Sequence, residues 1–428
     1  MKAILKRSVF PKPSLSAESQ TIKIDISGSK SESNRMLILQ AQFPNILIEN
    51  LSDSDDTVVL QKGLQTTNGT VDVHHAGTAM RFLTAYFAVK EGAEIILTGS
   101  QRMQERPIGV LVNALRNLGA EIDYLKNEGF PPLKIKGKEL QKKEVKIKAN
   151  ISSQYISALM LIAPMLSHGL KINLEGKVTS VPYIEMTLSL LRKLGISADF
   201  TKNEIIISSV ESIQNTKVII ESDWSSASYF YSLVALSDEA ESCKIILSSF
   251  SDEASQGDSA LVQIYEALGV QTIFNASETV ADGRKNSISL SKKNIQLPDS
   301  LLLDLCNTPD LAQTIAISCF GLGIGCKLTG LHTLKIKETD RLLALKTELE
   351  KLGATIQVDA DSLSLGKSSL LNSNQSIKTY QDHRMAMAFA PLSIKTDLII
   401  NDAEVVSKSY TNFWKDLQKT GIGVNLVN

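Results

Sequence analysis

Apolar positions along the chain return at spacings of three and four, and the runs close on one recurring phrase. It reads Leu115-Arg-Asn-Leu-Gly119-Ala, Leu191-Arg-Lys-Leu-Gly195-Ile, Tyr265-Glu-Ala-Leu-Gly269-Val, Leu349-Glu-Lys-Leu-Gly353-Ala and Leu417-Gln-Lys-Thr-Gly421-Ile. Each version predicts an amphipathic helix stopped by a glycine in the left-handed position just past its end. A strand-like segment follows, for example at 205–208 or 355–358. Gln61-Lys-Gly63-Leu is a degenerate sixth copy, and successive glycines lie 56 to 84 residues apart. A repeat of roughly seventy residues is therefore expected six times, which decides architecture before composition does.

A second kind of helix is predicted in each repeat, at 31–40, 77–89, 152–166, 225–236, 309–322 and 384–394. Beyond their first turns these segments carry little charge, and Gly77–Val89 is nearly apolar all round. A helix without a polar face is buried. Each repeat thus combines a buried helix, a surface helix and short strands such as 21–26 and 95–98. The class is α/β (α+β), with no glycine- or proline-rich linker to separate the halves. Two similar three-repeat domains are expected, 1–28 plus 221–428 and 29–220, the chain crossing near 28–30 and near 221–225.

Composition narrows the partners. The 428 residues hold 45 Lys+Arg against 46 Asp+Glu, a formal charge of −1. No net field exists to attract nucleic acid or an anionic membrane, so any anion site must be a local cluster. Lys2, Lys6 and Arg7 precede no apolar run, so no signal peptide is expected. The most apolar stretches, 155–166 and 315–326, fall short of the roughly 20 residues a bilayer needs. The four cysteines, at 243, 306, 319 and 326, have neither zinc nor disulfide spacing, and a reduced cytoplasmic location is expected.

The buried helices open on residues able to do chemistry: Lys30-Ser31 with Arg35 one turn on, Gly77-Thr78 with Arg81, Ser152-Ser153-Gln154, Ser225-Ser226, Pro309-Asp310 and Asp382-His383-Arg384. Free N–H groups, hydroxyls and a positive dipole end make each start suited to an oxyanion. Capping alone explains Ser, Thr or Asp at any one start. It does not require Lys30, Arg35 or Arg384. Arg106 stands just before Pro107, and Lys335-Ile-Lys337-Glu338-Thr-Asp340-Arg341 places five charges in seven residues. Such a run suits a solvated face, but its alternating signs also suit paired acid–base and anion-binding work.

The segments Ser27-Gly-Ser-Lys-Ser-Glu-Ser-Asn-Arg35, Ala76-Gly-Thr-Ala-Met-Arg81, Arg102-Met-Gln-Glu-Arg-Pro-Ile-Gly109, Ser152-Ser-Gln154, Lys337-Glu-Thr-Asp-Arg341 and Asp382-His-Arg-Met-Ala-Met387 strongly resemble signatures of the 5-enolpyruvylshikimate-3-phosphate synthases, the 3-phosphoshikimate 1-carboxyvinyltransferases. They occur in order along essentially the whole chain. The resemblance implies two domains, each of three inverted βαβαββ units, closing over substrates bound in a cleft. It also implies transfer of the enolpyruvyl group of phosphoenolpyruvate to the 5-hydroxyl of shikimate 3-phosphate by addition and elimination, a step of aromatic amino-acid biosynthesis. Two small-molecule substrates, a monomer, and no metal, redox cofactor, nucleic acid or membrane belong to that expectation.

Carried over position by position, the resemblance makes Asp310 the base for the 5-hydroxyl and Glu338 the group exchanging a proton with the phosphoenolpyruvate methylene. Lys30 is shared by both substrates. Ser31, Arg35, Ser152, Ser153, Gln154, Ser180, Tyr183, Asp310, Thr333 and Lys337 are implied contacts of shikimate 3-phosphate. Gly77, Arg106, Gln154, Arg341, Arg384 and Lys408 are implied contacts of phosphoenolpyruvate, while His383 orients the site. The chain departs from the family pattern at Ser27 (usually Pro), His75 (usually Asn), Phe82 (commonly Pro) and Thr333 (often Asn). The stretch between Leu64 and His74 is short, so a hairpin of the first repeat should be missing. The resemblance also implies competition by glyphosate, and Gly77 leaves room for that inhibitor.

Two other readings fit some of these residues. UDP-N-acetylglucosamine enolpyruvyl transferases share the fold, but their reactive cysteine in the loop at 102–109 has no counterpart here. An inactive relative that binds a phosphorylated ligand would not need Lys30, Asp310, Glu338, Arg341 and Arg384 together.

Overall fold

The computed structural model describes residues 1–8, 10, 20–149, 152–176, 178, 181–238, 243–276 and 286–427. It divides into two compact units, Met1–Ser27 with Glu221–Asn428, and Gly28–Ile220. Each unit has its own apolar core. Six largely buried helices fill these cores: α1 (Lys30–Gln42), α2 (Gly77–Val89), α3 (Ser153–Ile162), α4 (Trp224–Leu236), α5 (Ala312–Leu322) and α6 (His383–Phe389). All thirteen residues of α4 are buried.

Proline shortens these helices relative to the apolar pattern. α3 passes into a 3-10 turn at Ala163–Met165 and α6 into another at Ala390–Ile394, where Pro164 and Pro391 withdraw a backbone donor. α5 is preceded by the 3-10 turn Pro309–Leu311, which carries Asp310. Side-chain caps hold four starts: Ser29 accepts from Glu32 N–H, Ser152 from Gln154, Asp223 from Ser225 and Asp382 from Arg384.

The glycines of the recurring phrase, Gly119, Gly195, Gly269, Gly353 and Gly421, all have positive φ. Gly63 behaves differently. It lies inside the helix Asp55–Leu64, where a Cβ would come 2.6 Å from Leu83 Cδ1 of α2. Its missing side chain serves close helix packing and not a left-handed stop.

Among the described residues the strands form five four-stranded sheets and one two-stranded sheet. Each four-stranded sheet is a parallel pair extended by two antiparallel strands, as where Glu144–Lys148 runs parallel to Leu170–Glu175, which pairs antiparallel with Glu204–Ile207. The two-stranded sheet keeps only the parallel pair, Ile46–Glu49 with Thr216–Ile219. One sheet matters below: β1 (Lys2–Lys6), β2 (Gln375–Ile377), β3 (Leu398–Asn401) and β4 (Gly423–Val427), in the order β2-β3-β1-β4. A ladder of hydroxyls joins α4 to α5, Ser228 to Thr314 at 3.2 Å and Ser232 to Ser318 at 2.8 Å, fixing the helix that follows Asp310.

Candidate active site

In the unit Gly28–Ile220, two helix starts and one loop converge. Gln154 Nε2 at the start of α3 donates to Thr78 Oγ1 at the start of α2 (3.2 Å). The loop at 105–107 is held from both helices, with Tyr155 donating to Pro107 O (2.6 Å) and the buried Arg81 to Pro107 O (3.1 Å) and Gly77 O (3.2 Å). The loop thereby sets Arg106 against Gly77, where a built Cβ would lie 2.8 Å from Arg106 Nη1. Arg106 is half-buried and its guanidinium has no hydrogen-bond or ion-pair partner among the described residues.

Arg35 is almost wholly enclosed. Nε donates to Thr187 Oγ1 (2.7 Å), Nη1 to Ser31 O (2.8 Å), and Nη2 to Ser157 Oγ (2.9 Å) and Tyr183 O (3.5 Å). The rings of Phe82 and Tyr183 flank it. Burial pulls its pKa down to about 10, with Tyr183 and Glu32 acting the other way, so it stays charged at neutral pH. All four acceptors are neutral, and no carboxylate lies within ion-pair range of it among the described residues. A buried cation whose hydrogen-bond acceptors are all neutral is costly until an anion arrives beside it.

Lys30 does not meet the other expected residues directly; its Nζ lies 3.7 Å from Asp56 Oδ2. The start of the helix Asp55–Leu64 is tied to α1 by Ser52 N donating to Ser33 Oγ (2.9 Å) and Thr57 Oγ1 to Asn34 Oδ1 (2.9 Å). Ser152 caps α3, Ser153 opens it, and Ser180 lies outside the described residues. His75 is exposed, with Nδ1 2.9 Å from Ser100 Oγ.

In the other unit the centre is Arg341. It is 2% exposed and forks onto three carboxylates: Nε to Asp382 Oδ2 (2.6 Å), Nη1 to Asp310 Oδ1 (2.8 Å) and Nη2 to Glu338 Oε2 (2.9 Å). Asp310 Oδ2 accepts from Arg384 (2.9 Å), and Lys337 Nζ lies 3.6 Å from Asp310 Oδ1. Burial alone would lower the pKa of Arg341, but Asp382, Glu338 and Asp310 outweigh it and raise it. The same contest ends the same way at Arg384, where Asp310 is the main opposing charge. His383 Nδ1 sits 3.9 Å from Asp382 Oδ1. Thr333 Oγ1 is buried with no hydrogen-bond partner among the described residues. Lys408 donates to Gln381 O (2.7 Å), one residue before Asp382.

Residues 43–417 match the EPSP synthase (3-phosphoshikimate 1-carboxyvinyltransferase) family. A 3-phosphoshikimate 1-carboxyvinyltransferase of Bacteroides fragilis is 45% identical over 417 residues, covering 96% of this chain and 98% of that protein. One from Shewanella baltica is 34% identical over 425 residues, covering 92% and 95%. The chain belongs to the EPSP synthase family. An EPSP synthase of Acinetobacter baumannii, 19% identical, matches the whole fold with a TM-score of 0.76 and full coverage of both chains. The UDP-N-acetylglucosamine enolpyruvyl transferase alternative is not favoured by these relationships.

Within this EPSP synthase family chain, two acids near the expected residues escaped sequence reasoning. Asp56 follows the cap Ser54 and reads as an ordinary acidic first turn. Asp258 sits in the 3-10 turn Gly257–Ala260, in no quoted motif. Burial, then the charge of Asp310, pushes the Asp258 pKa up to about 7, with Arg384 acting oppositely. An unfolded aspartate titrates near 3.9. Between about 4 and about 7 the folded chain therefore binds the extra proton, and stability falls as pH rises through that window. Asp258→Asn should gain stability over the wild type from pH 5 to pH 8, by on the order of a few kcal/mol. Denaturant melts at both pH values check this; a constant offset would contradict it.

Proposed function

We propose that this chain transfers the enolpyruvyl group of phosphoenolpyruvate to the 5-hydroxyl of shikimate 3-phosphate and releases phosphate. Family membership supports the reaction. The observation that carries the residue roles is that Asp310 and Glu338 meet on one guanidinium, at 2.8 and 2.9 Å from Arg341. Each substrate bears a phosphate and a carboxylate, and Arg106 and Arg35, neither with an ion-pair partner among the described residues, are cations suited to such groups. Both clusters are assigned to this one reaction on the family motifs.

In the proposed sequence Asp310 takes the 5-hydroxyl proton as that oxygen bonds to C2 of phosphoenolpyruvate. Glu338 delivers a proton to C3, turning the methylene into a methyl. The bond from C2 to the phosphate oxygen then breaks, phosphate leaves with the electron pair, and C3 returns a proton to restore the double bond. Arg341 holds both acids in register, Arg384 and Lys337 hold Asp310, and Lys30, Arg106 and Lys408 supply charge for the anionic substrates. Ser31, Ser152, Ser153, Gln154, Ser180, Tyr183 and Thr333 are proposed contacts of shikimate 3-phosphate.

Purified protein given both substrates should release inorganic phosphate, and neither substrate alone should suffice. Release without shikimate 3-phosphate, or none from folded protein, would contradict the assignment and return weight to the inactive relative. A cytoplasmic monomer is proposed with this activity; none of the described helices is long and apolar enough to cross a membrane.

Gly77→Ala carries a graded expectation. Its methyl would press on the Arg106 guanidinium at 2.8 Å, the end of a flexible side chain. Arg106 must shift, so KM for phosphoenolpyruvate should rise about tenfold while glyphosate inhibition weakens more, the displacement costing on the order of 1–2 kcal/mol. Steady-state kinetics with the inhibitor test this; unchanged KM and inhibition would place Gly77 away from the substrate.

A further inference from the structure

Register in the sheet β2-β3-β1-β4 lines up three polar residues. Lys2 of β1 faces Asn401 of β3, while Ile377, the last residue of β2, faces Ile400. Lys378 follows Ile377 and is level with Asn401. Neighbouring strands lie about 4.8 Å apart, so the two lysine Cα atoms are about 10 Å apart with the amide between them. Alternation turns this row away from the core: Ala3, Ile377 and Ile400 are buried, whereas Lys2 and Lys378 are exposed.

The row opens into a cavity of about 430 Å³ completed by Met1, Tyr380, Gln381 and Asp402. Among the described residues neither lysine side chain has a hydrogen-bond or ion-pair partner. The nearby N-terminal ammonium is already paired with Glu404 at 3.1 Å. Two uncommitted ammonium groups therefore line a cavity whose one lining carboxylate is that of Asp402; neighbouring Glu348 is already held by Tyr380 Oη (2.6 Å), the Lys378 N–H (3.1 Å) and Lys351. Asn401 spends one N–H on Ser376 Oγ (2.9 Å) and its amide group carries a second. Tyr380 and Gln381 are consecutive non-glycine residues in the left-handed region, φ 53° and 58°. Their turn puts the Gln381 carbonyl on Lys408 and leads directly to Asp382, which grips Arg341.

We propose that this cavity is a second anion site, separate from the carboxylate cluster at Arg341, which takes a phosphate group between Lys2 and Lys378. Asn401 donates to that group, and Asp402 accepts from a hydroxyl borne by the same ligand. Its occupant touches the turn that orients Lys408 and Asp382.

The test is equilibrium dialysis with labelled inorganic phosphate and, separately, glycerol 3-phosphate, on the full chain and on Lys2→Ala/Lys378→Ala. The double variant should bind one phosphate fewer per chain, or bind it about tenfold or more weakly, since each charge-assisted bond is worth about that factor. Lys2→Arg/Lys378→Arg should retain it, and rising salt should weaken it. Tighter glycerol 3-phosphate would assign a hydroxylated phosphomonoester; equal binding would assign free phosphate. Identical isotherms for wild type and the alanine variant would overturn the site. So would an equal loss in Lys23→Ala/Lys327→Ala, which removes two exposed lysines elsewhere in the same unit.

Discussion

Asp310→Asn lowers kcat for phosphate release by about 10²- to 10⁴-fold, the range a positioned general base contributes. The substitution preserves shape, so the fold should survive. It removes the anion shared by Arg341 Nη1 and Arg384 Nη2, each now 2.8–2.9 Å from a carboxylate oxygen, and turns an amide N–H toward one of them. The fall in kcat should exceed any change in KM, because the proton is taken only as the new bond forms. Steady-state kinetics with a circular dichroism check suffice. A loss below about tenfold would remove Asp310 from the base role.

Arg341→Met is expected to cost about 3–5 kcal/mol of stability, the range for stripping one partner from a buried ion cluster. Three carboxylates lose their common cation, and the Asp382 side chain is fully enclosed. Arg341→Lys should recover little of this. One ammonium cannot reach Asp382, Asp310 and Glu338 together at 2.6–2.9 Å, as the guanidinium fork does. Denaturant titration measures both variants. A Lys variant as stable as the wild type would show that net charge, and not the fork, holds the cluster.

The local chemistry was more legible in the sequence than the tertiary contacts. Glycines closing amphipathic helices announced left-handed stops, and Gly119, Gly195, Gly269, Gly353 and Gly421 adopt them. Gly63 shares the phrase but serves packing against Leu83, a contact that local periodicity cannot display. Pro164 and Pro391 lie inside apolar runs whose pattern continues past the point where the α-helix ends. The charge run at 335–341 shows why charge alone does not reveal burial. Lys335 is exposed, whereas Arg341 six residues on is enclosed by three acids, one of them 41 positions away.

Asp56 and Asp258 were invisible for a related reason. Nothing adjacent in sequence marks either, and their significance comes from Lys30 in one case and from Asp310 and Arg384 in the other. Lys408 sits in a weak motif, and it donates to the carbonyl of Gln381, 27 positions away and next to Asp382. The direction of Arg35 toward neutral acceptors likewise depends on Ser157 and Thr187, more than a hundred residues away.

The most direct measurement is proton NMR of the product formed in deuterium oxide by wild type and Glu338→Gln. Protonation of C3 followed by loss of a proton leaves deuterium in the enolpyruvyl methylene. Incorporation should therefore accompany wild-type turnover and fall together with it in the variant. Full-rate turnover with an undeuterated methylene would mean that C3 is never protonated, and would contradict both the addition–elimination sequence and the role of Glu338.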